Sequence, residues 1–415
     1  MDAATHAWRK GMVVTVGTGT RPDSDIAAPL IKSIREANPD AVVLITTAES
    51  ASVAAAIQER YGAPAPVWLE ERLPSADEIE SAFRGCLAAI RRLLAHGLKA
   101  EAITADYTSG TKTMTAALVM AAVALRCGTL RYISGTREHG VVAAGTERFL
   151  ATPPAAILAV AELARAEELL RRFQFQTAER LCREVNTHLL DPPDRDRRAA
   201  LEQLARAYAY WDRFAHRQAA EQFKGLRHAA GVSAFAVPPQ LPDRLRRLAH
   251  AIETGTFEPD LLADLVANAA RRLLEGRWDD AVARLYRVTE MLAQWVLQQR
   301  YQYRTSAPDP ARLPERVRAV FPDQQPLGLK RAYELLAALE EPLAARFTDK
   351  ASGVERLLSA RNESILAHGT RPVTEQEAWK FYKALLALAR SEIADFEQRV
   401  RALQFPWVET DVLPV

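Results

Sequence analysis

Short apolar, β-branched runs alternate with helical patterns over the first third of the chain, and then stop. Met12-Val13-Val14-Thr15-Val16 ends at a glycine, Ala41 to Thr46 follows, and Ala102 to Asp106 and Leu130 to Ser134 come later. Runs of this kind suit strands buried on both faces. Between them Ala28 to Ala37, Ala76 to Ala95 and Thr113 to Leu125 carry helical patterns, the last apolar enough to predict a buried helix. Strands alternating with helices predict βαβ units, an α/β Rossmann-like domain and a mostly parallel sheet. Ligands of such sheets sit in the loops at the C-terminal ends of the strands.

At Pro153-Pro154 the pattern changes to Ala-, Leu- and Arg-rich segments of 3.6-residue period, which predict an all-α remainder. Breaks are expected at Asp191-Pro192-Pro193, at Val237-Pro238-Pro239, around Ala307 to Pro310, and at Gly369 to Pro372. Two stretches look alike: Ala166 through Phe175 and Ala178, and Ala269 through Trp278 and Ala281. Each reads as helix, short turn, helix; generic helical-hairpin packing accounts for the likeness better than a true repeat does.

Composition narrows the function classes. A chain of 415 residues exceeds what one core serves, so two or three domains are expected. The net charge of +2 implies no large basic surface, and the runs Arg195 to Arg198 and Arg244 to Arg247 read as solvated helix faces. Cys86, Cys127 and Cys182 have neither metal-ligand spacing nor obvious partners, which suits a reducing, cytoplasmic setting. No signal peptide precedes the first strand, and Met114 to Leu125 is too short to span a bilayer. His-Glu-x-x-His and Cys-x-x-Cys spacings are missing, so no metal is expected. His216, within Trp211-Asp212-Arg213-Phe214-Ala215-His216, reads as part of a packed aromatic patch.

Two N-terminal loops carry candidate chemistry. Gly17-Thr18-Gly19-Thr20-Arg21-Pro22 lets a backbone approach a ligand closely, but proline stands where the dinucleotide fingerprint needs its third glycine, which disfavours a NAD enzyme. Asp106-Tyr107-Thr108-Ser109-Gly110-Thr111-Lys112-Thr113-Met114 leads from a strand into a helix. It offers helix N-terminal amides, hydroxyls and one ammonium to a phosphate. Its spacing is not that of an ATP-hydrolysing P-loop. Together the two loops resemble those of CARF domains, the sensor domains of type III CRISPR accessory proteins. The resemblance covers residues 12 to 150. It implies a cyclic oligoadenylate activator, tetra- or hexa-adenylate, clasped two-fold between protomers. Thr18, Gly19 and Thr20 would line one side of the ring and Ser109, Gly110, Thr111 and Lys112 the other, with Ser134-Gly135-Thr136 a weaker lining.

Near the C-terminus Leu357-Leu358-Ser359-Ala360-Arg361-Asn362-Glu363-Ser364-Ile365-Leu366-Ala367-His368-Gly369 predicts a helix ending at Gly369 as C′ residue. Arg361 and His368 would share a face about 10 Å apart, with His368 in the last turn, where the helix dipole favours imidazolium. Histidine can move protons near neutral pH, and a guanidinium can stabilise a pentacoordinate phosphorane. One histidine does not face both sides of a phosphate, so two paired helices of a homodimer are the economical arrangement. Arg-Asn, six residues counted from the arginine, then His resembles the motif of HEPN ribonucleases. CARF followed by HEPN resembles the Csm/Csx-type CRISPR ribonucleases. Trp278 to Glu290 also looks like helices of one HEPN subfamily, which carries a helical insert; Tyr286, Arg287 and Glu290 within it are not counted among the candidate active-site residues.

The resemblance thus implies an α/β Rossmann-like CARF domain at 1–152, a helical insert at 153–260 and a HEPN domain at 261–415. It implies an oligoadenylate-activated, metal-independent endoribonuclease, with Arg361, Asn362 and His368 acting on single-stranded RNA and no membrane partner. The alternative is a non-enzymatic CARF regulator whose helical domain binds nucleic acid or a partner protein.

Overall fold

The computed structural model describes residues 8–19, 25–138, 141–143, 145–226, 232–322, 325–349, 354, 358, 363–365 and 369–409. These fall into two compact units. One reaches to Glu162 and takes in Asn186–Asp191; the other comprises Leu163–Val185 and the chain from Pro192 onward.

The first unit is built on a six-stranded sheet. Its elements are β1 (Gly11–Thr15), α1 (Ala27–Ala37), β2 (Ala41–Thr46), α2 (Ala51–Tyr61), β3 (Val67–Arg72), α3 (Ile79–Ala95), β4 (Ile103–Asp106), α4 (Lys112–Ala124), β5 (Thr129–Ser134), the small pair β6 (Arg137–Glu138) and β7 (Val141–Val142), and β8 (Arg148–Thr152). The order is β3-β2-β1-β4-β5-β8, parallel except for β8, which runs antiparallel along β5. The continuous apolar runs behave as strands with two buried faces. Met12, Val14 and Val16 pack under α1 and α2 with Leu30, Ile34 and Ile57. Val13 points the other way, into a core of Val43, Ala105 and the inner residues of α3 and α4.

One expectation needs correcting here. Helix α4 buries only the face of Met114, Ala117, Leu118, Ala121 and Ala122, while Met120 is half exposed. An apolar composition all round does not bury a helix that covers one face of a sheet.

The second unit is helical, as the period predicts. It contains most of α5 (Ala155–Arg171), then α6 (Phe175–Glu184), α7 (Pro192–Asp212), α8 (His216–Lys224), α9 (Leu241–Thr254), α10 (Pro259–Leu274), α11 (Trp278–Tyr301), α12 (Glu315–Arg318), α13 (Leu329–Ala338), α14 (Pro342–Thr348), α15 (Glu375–Arg390) and α16 (Phe396–Ala402). The break expected at Asp191-Pro192-Pro193 is there, and Pro192 opens the helix that follows it, because Pro lacks only an amide that the first turn leaves unpaired; Pro259 and Pro342 also stand first in their helices.

The two look-alike stretches are the hairpins α5/α6 and α10/α11, and Ala178 and Ala281 are both fully buried. The resemblance extends to the turns. Phe173 and Gly276 are both left-handed, and Gln174 N donates to Leu169 O as Arg277 N donates to Arg272 O, each at 2.9 Å. Such bonds define the Schellman close of a helix. The hairpins α7/α8 and α13/α14 repeat it at Phe214 and Glu340.

Helix α10 carries a polar stripe into the core. Asp264, Asn268 and Arg271 are fully buried and Arg272 nearly so. Asp212, the last residue of α7, takes Arg271 Nε at 3.0 Å, Arg272 at 2.7 Å and Asn268 Nδ2 at 3.1 Å. Asp264 accepts from Trp211 Nε1 at 2.7 Å and meets His216 Nε2 at 2.8 Å. His216 is therefore a buried tie between α8 and α10, in keeping with the packed reading. The basic runs are largely consumed in the same manner: Arg197 pairs with Glu167, Arg198 with Glu202, Arg244 with Asp260 and Arg246 with Asp243.

Candidate functional site

In the observed strand order, chain connections leave β1 and β4 in opposite directions, so a crevice opens between their C-terminal ends. The two glycine-containing loops meet there. Gly17 N donates to Ser109 Oγ at 3.1 Å, and Thr15 Oγ1 donates to Ser109 O. A methyl group on Gly17 would lie 2.7 Å from Gly110 N and 2.8 Å from Gly110 Cα, so only glycine permits this approach. Gly110 itself is left-handed, at φ 104°.

Beneath the crevice lies Asp106, wholly buried at the end of β4. Ser33 Oγ of α1 donates to its Oδ2 at 2.5 Å, and Thr108 N donates to its Oδ1 at 2.9 Å. Burial pushes its carboxyl above the ordinary aspartate range, against those hydrogen bonds, which favour the carboxylate. Asp106 was read only as the start of the loop motif. Its role as the loop's anchor depends on Ser33, which no spacing along the chain connects with it. Beside it Tyr107 and Tyr132 stack, ring centroids 5.4 Å apart, a pairing that only the β4–β5 register reveals.

The named loop residues divide by what they already hold. Thr111 caps α4 by accepting from Met114 N at 3.2 Å and donates its hydroxyl to Ala76 O at 2.6 Å. Ser109 Oγ accepts from Gly17 and keeps its proton for a further acceptor. Thr18, Gly19 and Lys112 are exposed, and Lys112 pairs with no carboxylate among the described residues. Thr20 lies outside the described residues. Gly135-Thr136 is folded into the base of the β6–β7 pair, where Thr136 N donates to Thr146 Oγ1 at 3.1 Å.

In the helical unit, Arg361, Asn362 and His368 lie outside the described residues; their neighbours set the frame. Val354, Leu358 and Ser364 are buried, while Ile365 is exposed. The expected continuous helix through 357–368 does not hold. Ser364 bridges to Arg371, Ile365 N donates to Arg371 O at 3.1 Å, and Gly369 N donates to Ser364 O at 3.1 Å. Glu363–Ile365 is thus a turn. Gly369 is not a left-handed C′ residue either: its φ is not positive, and a Cβ there would sit 1.8 Å from Glu363 O. The glycine serves a backbone-to-backbone contact.

The segment after this turn is firmly held. Val373 N donates to Asp279 Oδ2 at 3.2 Å, Arg371 pairs with Glu377 at 2.6 Å, and Thr374 and Glu377 form a capping box at the start of α15. Hydrogen bonds from Thr374, side chain first and then backbone, followed by that of Arg371, lower the Glu377 carboxyl to about 2. Arg287 pairs with Glu290 and Gln294 on α11, and Arg284 with Asn268 of α10 at 2.5 Å. Among the described residues no group of three His, Cys, Asp or Glu side chains is placed to hold a metal ion. The three cysteines are free and buried, with burial raising each thiol to about 12. Among the described residues no helix is long and apolar enough to cross a membrane.

Comparison with known proteins adds two family matches. Residues 158–236 match the Csm6 6H domain and residues 254–392 the Csm6 HEPN domain. Among solved structures, Csm6 of Enterococcus italicus, bound to cyclic hexa-2′-fluoro-hexa-dAMP, is similar over 95% of this chain and 99% of its own. The TM-score is 0.52 and the identity 14%, a likeness of fold. Can2 of Sulfobacillus thermosulfidooxidans, in complex with cyclic tetra-adenylate, covers 50% of this chain and 67% of its own at 13% identity. Its TM-score of 0.26 is too low to bear on fold or chemistry. No curated protein sequence matches significantly.

Proposed function

The chain belongs to the Csm6-type CARF–HEPN ribonucleases of CRISPR systems, and on that premise we propose that cyclic oligoadenylate bound in the crevice between β1 and β4 switches on metal-independent cleavage of single-stranded RNA. The observation that carries this reading is the meeting of Gly17 with Ser109-Gly110 at the switch point, beside a helix N-terminus and Lys112, which has no carboxylate partner among the described residues. That arrangement suits a ribose–phosphate ring: helix N-terminal amides and an ammonium attract phosphate, and glycine lets the ring approach backbone. Thr18, Gly19, Thr20, Ser109, Gly110 and Lys112 are assigned to the ring, with Thr111 holding the loop from below. The ring's two-fold symmetry calls for a homodimer.

Catalysis is assigned to Arg361, Asn362 and His368. His368 of each protomer moves a proton, one taking it from the ribose 2′-hydroxyl and the other giving it to the leaving 5′-oxygen. Arg361 stabilises the phosphorane, and Asn362 orients the phosphate. The bond formed is 2′-O–P and the bond broken is P–O5′, so the products carry a 2′,3′-cyclic phosphate. The proposed division is a sensor at 1–152, a helical insert at 153–260 and the HEPN domain at 261–415. The test is cleavage of a labelled single-stranded RNA by the purified protein in EDTA, with and without cyclic tetra- and hexa-adenylate. Activator-dependent cleavage is expected with one of the rings. No cleavage with either ring, alongside tight ring binding, would move the protein to the regulator reading.

A further inference from the structure

Among the described residues, most guanidinium groups of the helical unit already have a carboxylate. Arg172 holds Glu168, Arg217 Glu253, Arg300 Glu341 and Glu392, and Arg399 Asp260 and Asp395. A cleft of about 580 Å³ beside Trp407 follows that rule. Of its arginines, Arg172 is held by Glu168, Arg277 by Asp280, and Arg171 lies over the Phe235 ring at 5.0 Å. Its cations are spent on the fold.

The outer face of α15 is different. A shallow groove of about 560 Å³ is lined there by Thr374, Glu375, Gln376, Trp379, Lys380 and Lys383, two cations against one carboxylate. Both lysines are exposed, and neither pairs with a carboxylate among the described residues. Three residues apart on a helix, they are side-by-side neighbours. Trp379 is half-buried and braced edge-on by Tyr382, ring centroids 5.8 Å apart, so its orientation is set before anything binds. The helix that carries them is fixed to the turn at Glu363–Ile365 through Arg371 and Glu377, and to α11 through Asp279.

We propose that this face of α15 is a seat for the RNA strand next to the scissile step, with Lys380 and Lys383 on successive phosphates and a base stacked on Trp379. The proposal rests on the ribonuclease reading above and adds a substrate-positioning surface to it. Single strands are held in this way elsewhere, by cations that follow the backbone and aromatic rings that accept any base. Two ammonium groups with no carboxylate partner among the described residues, beside a fixed indole and outnumbering the one carboxylate of Glu375, suit an anionic, stackable polymer. It suits an acidic peptide less well, since that would leave the indole without a partner. The seat involves no bond-making; it supplies affinity and register, while proton transfer stays with the assigned motif.

The experiment compares the full-length wild type with Lys380→Glu/Lys383→Glu and with Trp379→Ala, each with activator. Two readouts are used: anisotropy with a 12-nucleotide 2′-O-methyl RNA, which cannot be cleaved, and steady-state cleavage of the same sequence as RNA. The double variant changes only exposed side chains and should fold normally. It is expected to bind at least tenfold more weakly, with KM raised and kcat largely kept. The slope of log K against log salt should become shallower by about 1.4, two phosphates' worth for a single strand. Trp379→Ala is expected to weaken binding roughly fivefold to 150-fold, with Trp379→Phe recovering part of the loss. Wild-type KM and salt slope in the double variant, with cleavage intact, would overturn the seat and leave the ribonuclease reading standing. A wild type that neither binds the probe nor cuts RNA with either ring would overturn both.

Discussion

Substituting Gly17 by alanine tests the contact on which the sensor site depends. The added methyl would lie 2.7 Å from Gly110 N, 2.8 Å from Gly110 Cα and 3.3 Å from Ser109 Oγ. Carbon atoms pack at about 3.5–4.0 Å, so the two loops must separate by roughly 1 Å, and backbone atoms have no rotamer by which to escape. That movement stretches the 3.1 Å bond from Gly17 N to Ser109 Oγ past useful length. Overpacking costs about 1–3 kcal/mol and the lost hydrogen bond about 0.5–1.5 kcal/mol. A loss of roughly 2–4 kcal/mol follows, at about 2–4 °C of Tm per kcal/mol for a unit of this size. Urea titration measures the first quantity, and calorimetry with the cyclic oligoadenylate measures how far the parted loops still grip it. Gly328→Ala is the control, because nothing lies within 4 Å of a Cβ there and its φ is −74°. If Gly17→Ala matches that control in both stability and ring affinity, the loops do not meet as described. If stability falls while affinity is kept, the contact is real and the ring binds elsewhere.

Four further outcomes are expected, the last from the proposed catalytic assignment. Lys112→Ala should weaken ring binding on the order of tenfold to a hundredfold with unchanged melting, since charge-assisted contacts are worth about 1.5–3 kcal/mol; calorimetry decides. Asp106 has a raised pKa in the folded state, so its stabilising contribution is complete below the ordinary aspartate value and is lost as pH rises through the raised one. Asp106→Asn should flatten that decline in pH-dependent urea titrations while still accepting from Thr108 N, and an unchanged pH profile would contradict the assignment. Asp212→Ala strips Arg271 and Arg272 of a shared partner in the core and should cost about 3–5 kcal/mol, read by denaturation of the helical unit. His368→Ala should lower cleavage about 10²–10⁴-fold with ring binding intact, and Arg361→Lys should be only partly active because a point charge does not reproduce the guanidinium fork; full activity in His368→Ala, or cutting of a 2′-deoxy substrate, would remove the mechanism.

The sequence pattern revealed those parts of the fold whose residues have a single environment. β1, β2, β4 and β5 are buried on both faces and stand out as apolar runs. β3 is half-exposed at a sheet edge, and β8 is exposed along most of its length, so neither has a period to detect. Helix α2, rich in alanine, buries only Ala54, Ile57 and Tyr61 and is equally quiet. Hairpin turns were legible at α5/α6 and α10/α11 through a shared Ala-x-x-Leu-Leu spelling. The α7/α8 turn has the same geometry with different letters, because left-handed backbone at Phe173, Phe214 and Glu340 is imposed by packing of the flanking helices and not by glycine. The strand-to-helix loop at Ser109 to Lys112 was legible from residue types, but its internal bonding was not: that Thr111 is committed to Ala76 and Met114 appears only once α3 and α4 are side by side. The helix expected through Ser364 failed because 3.6-residue spacing does not report a backbone bridge to Arg371, seven residues further on.

The buried carboxylate of Asp106 behaves as a rivet. One oxygen is fastened to Ser33, in the helical layer on one side of the sheet, and the other to the amide of Thr108, at the head of the loop that feeds α4 on the opposite side. The turn carrying Ser109 and Gly110 is therefore coupled to both layers: a displacement an occupant imposes on it is passed through Asp106 to α1. A reporter group on the solvent side of α1, well away from the crevice, should register occupancy of the loop, and Ser33→Ala should silence that reporter while leaving the crevice filled.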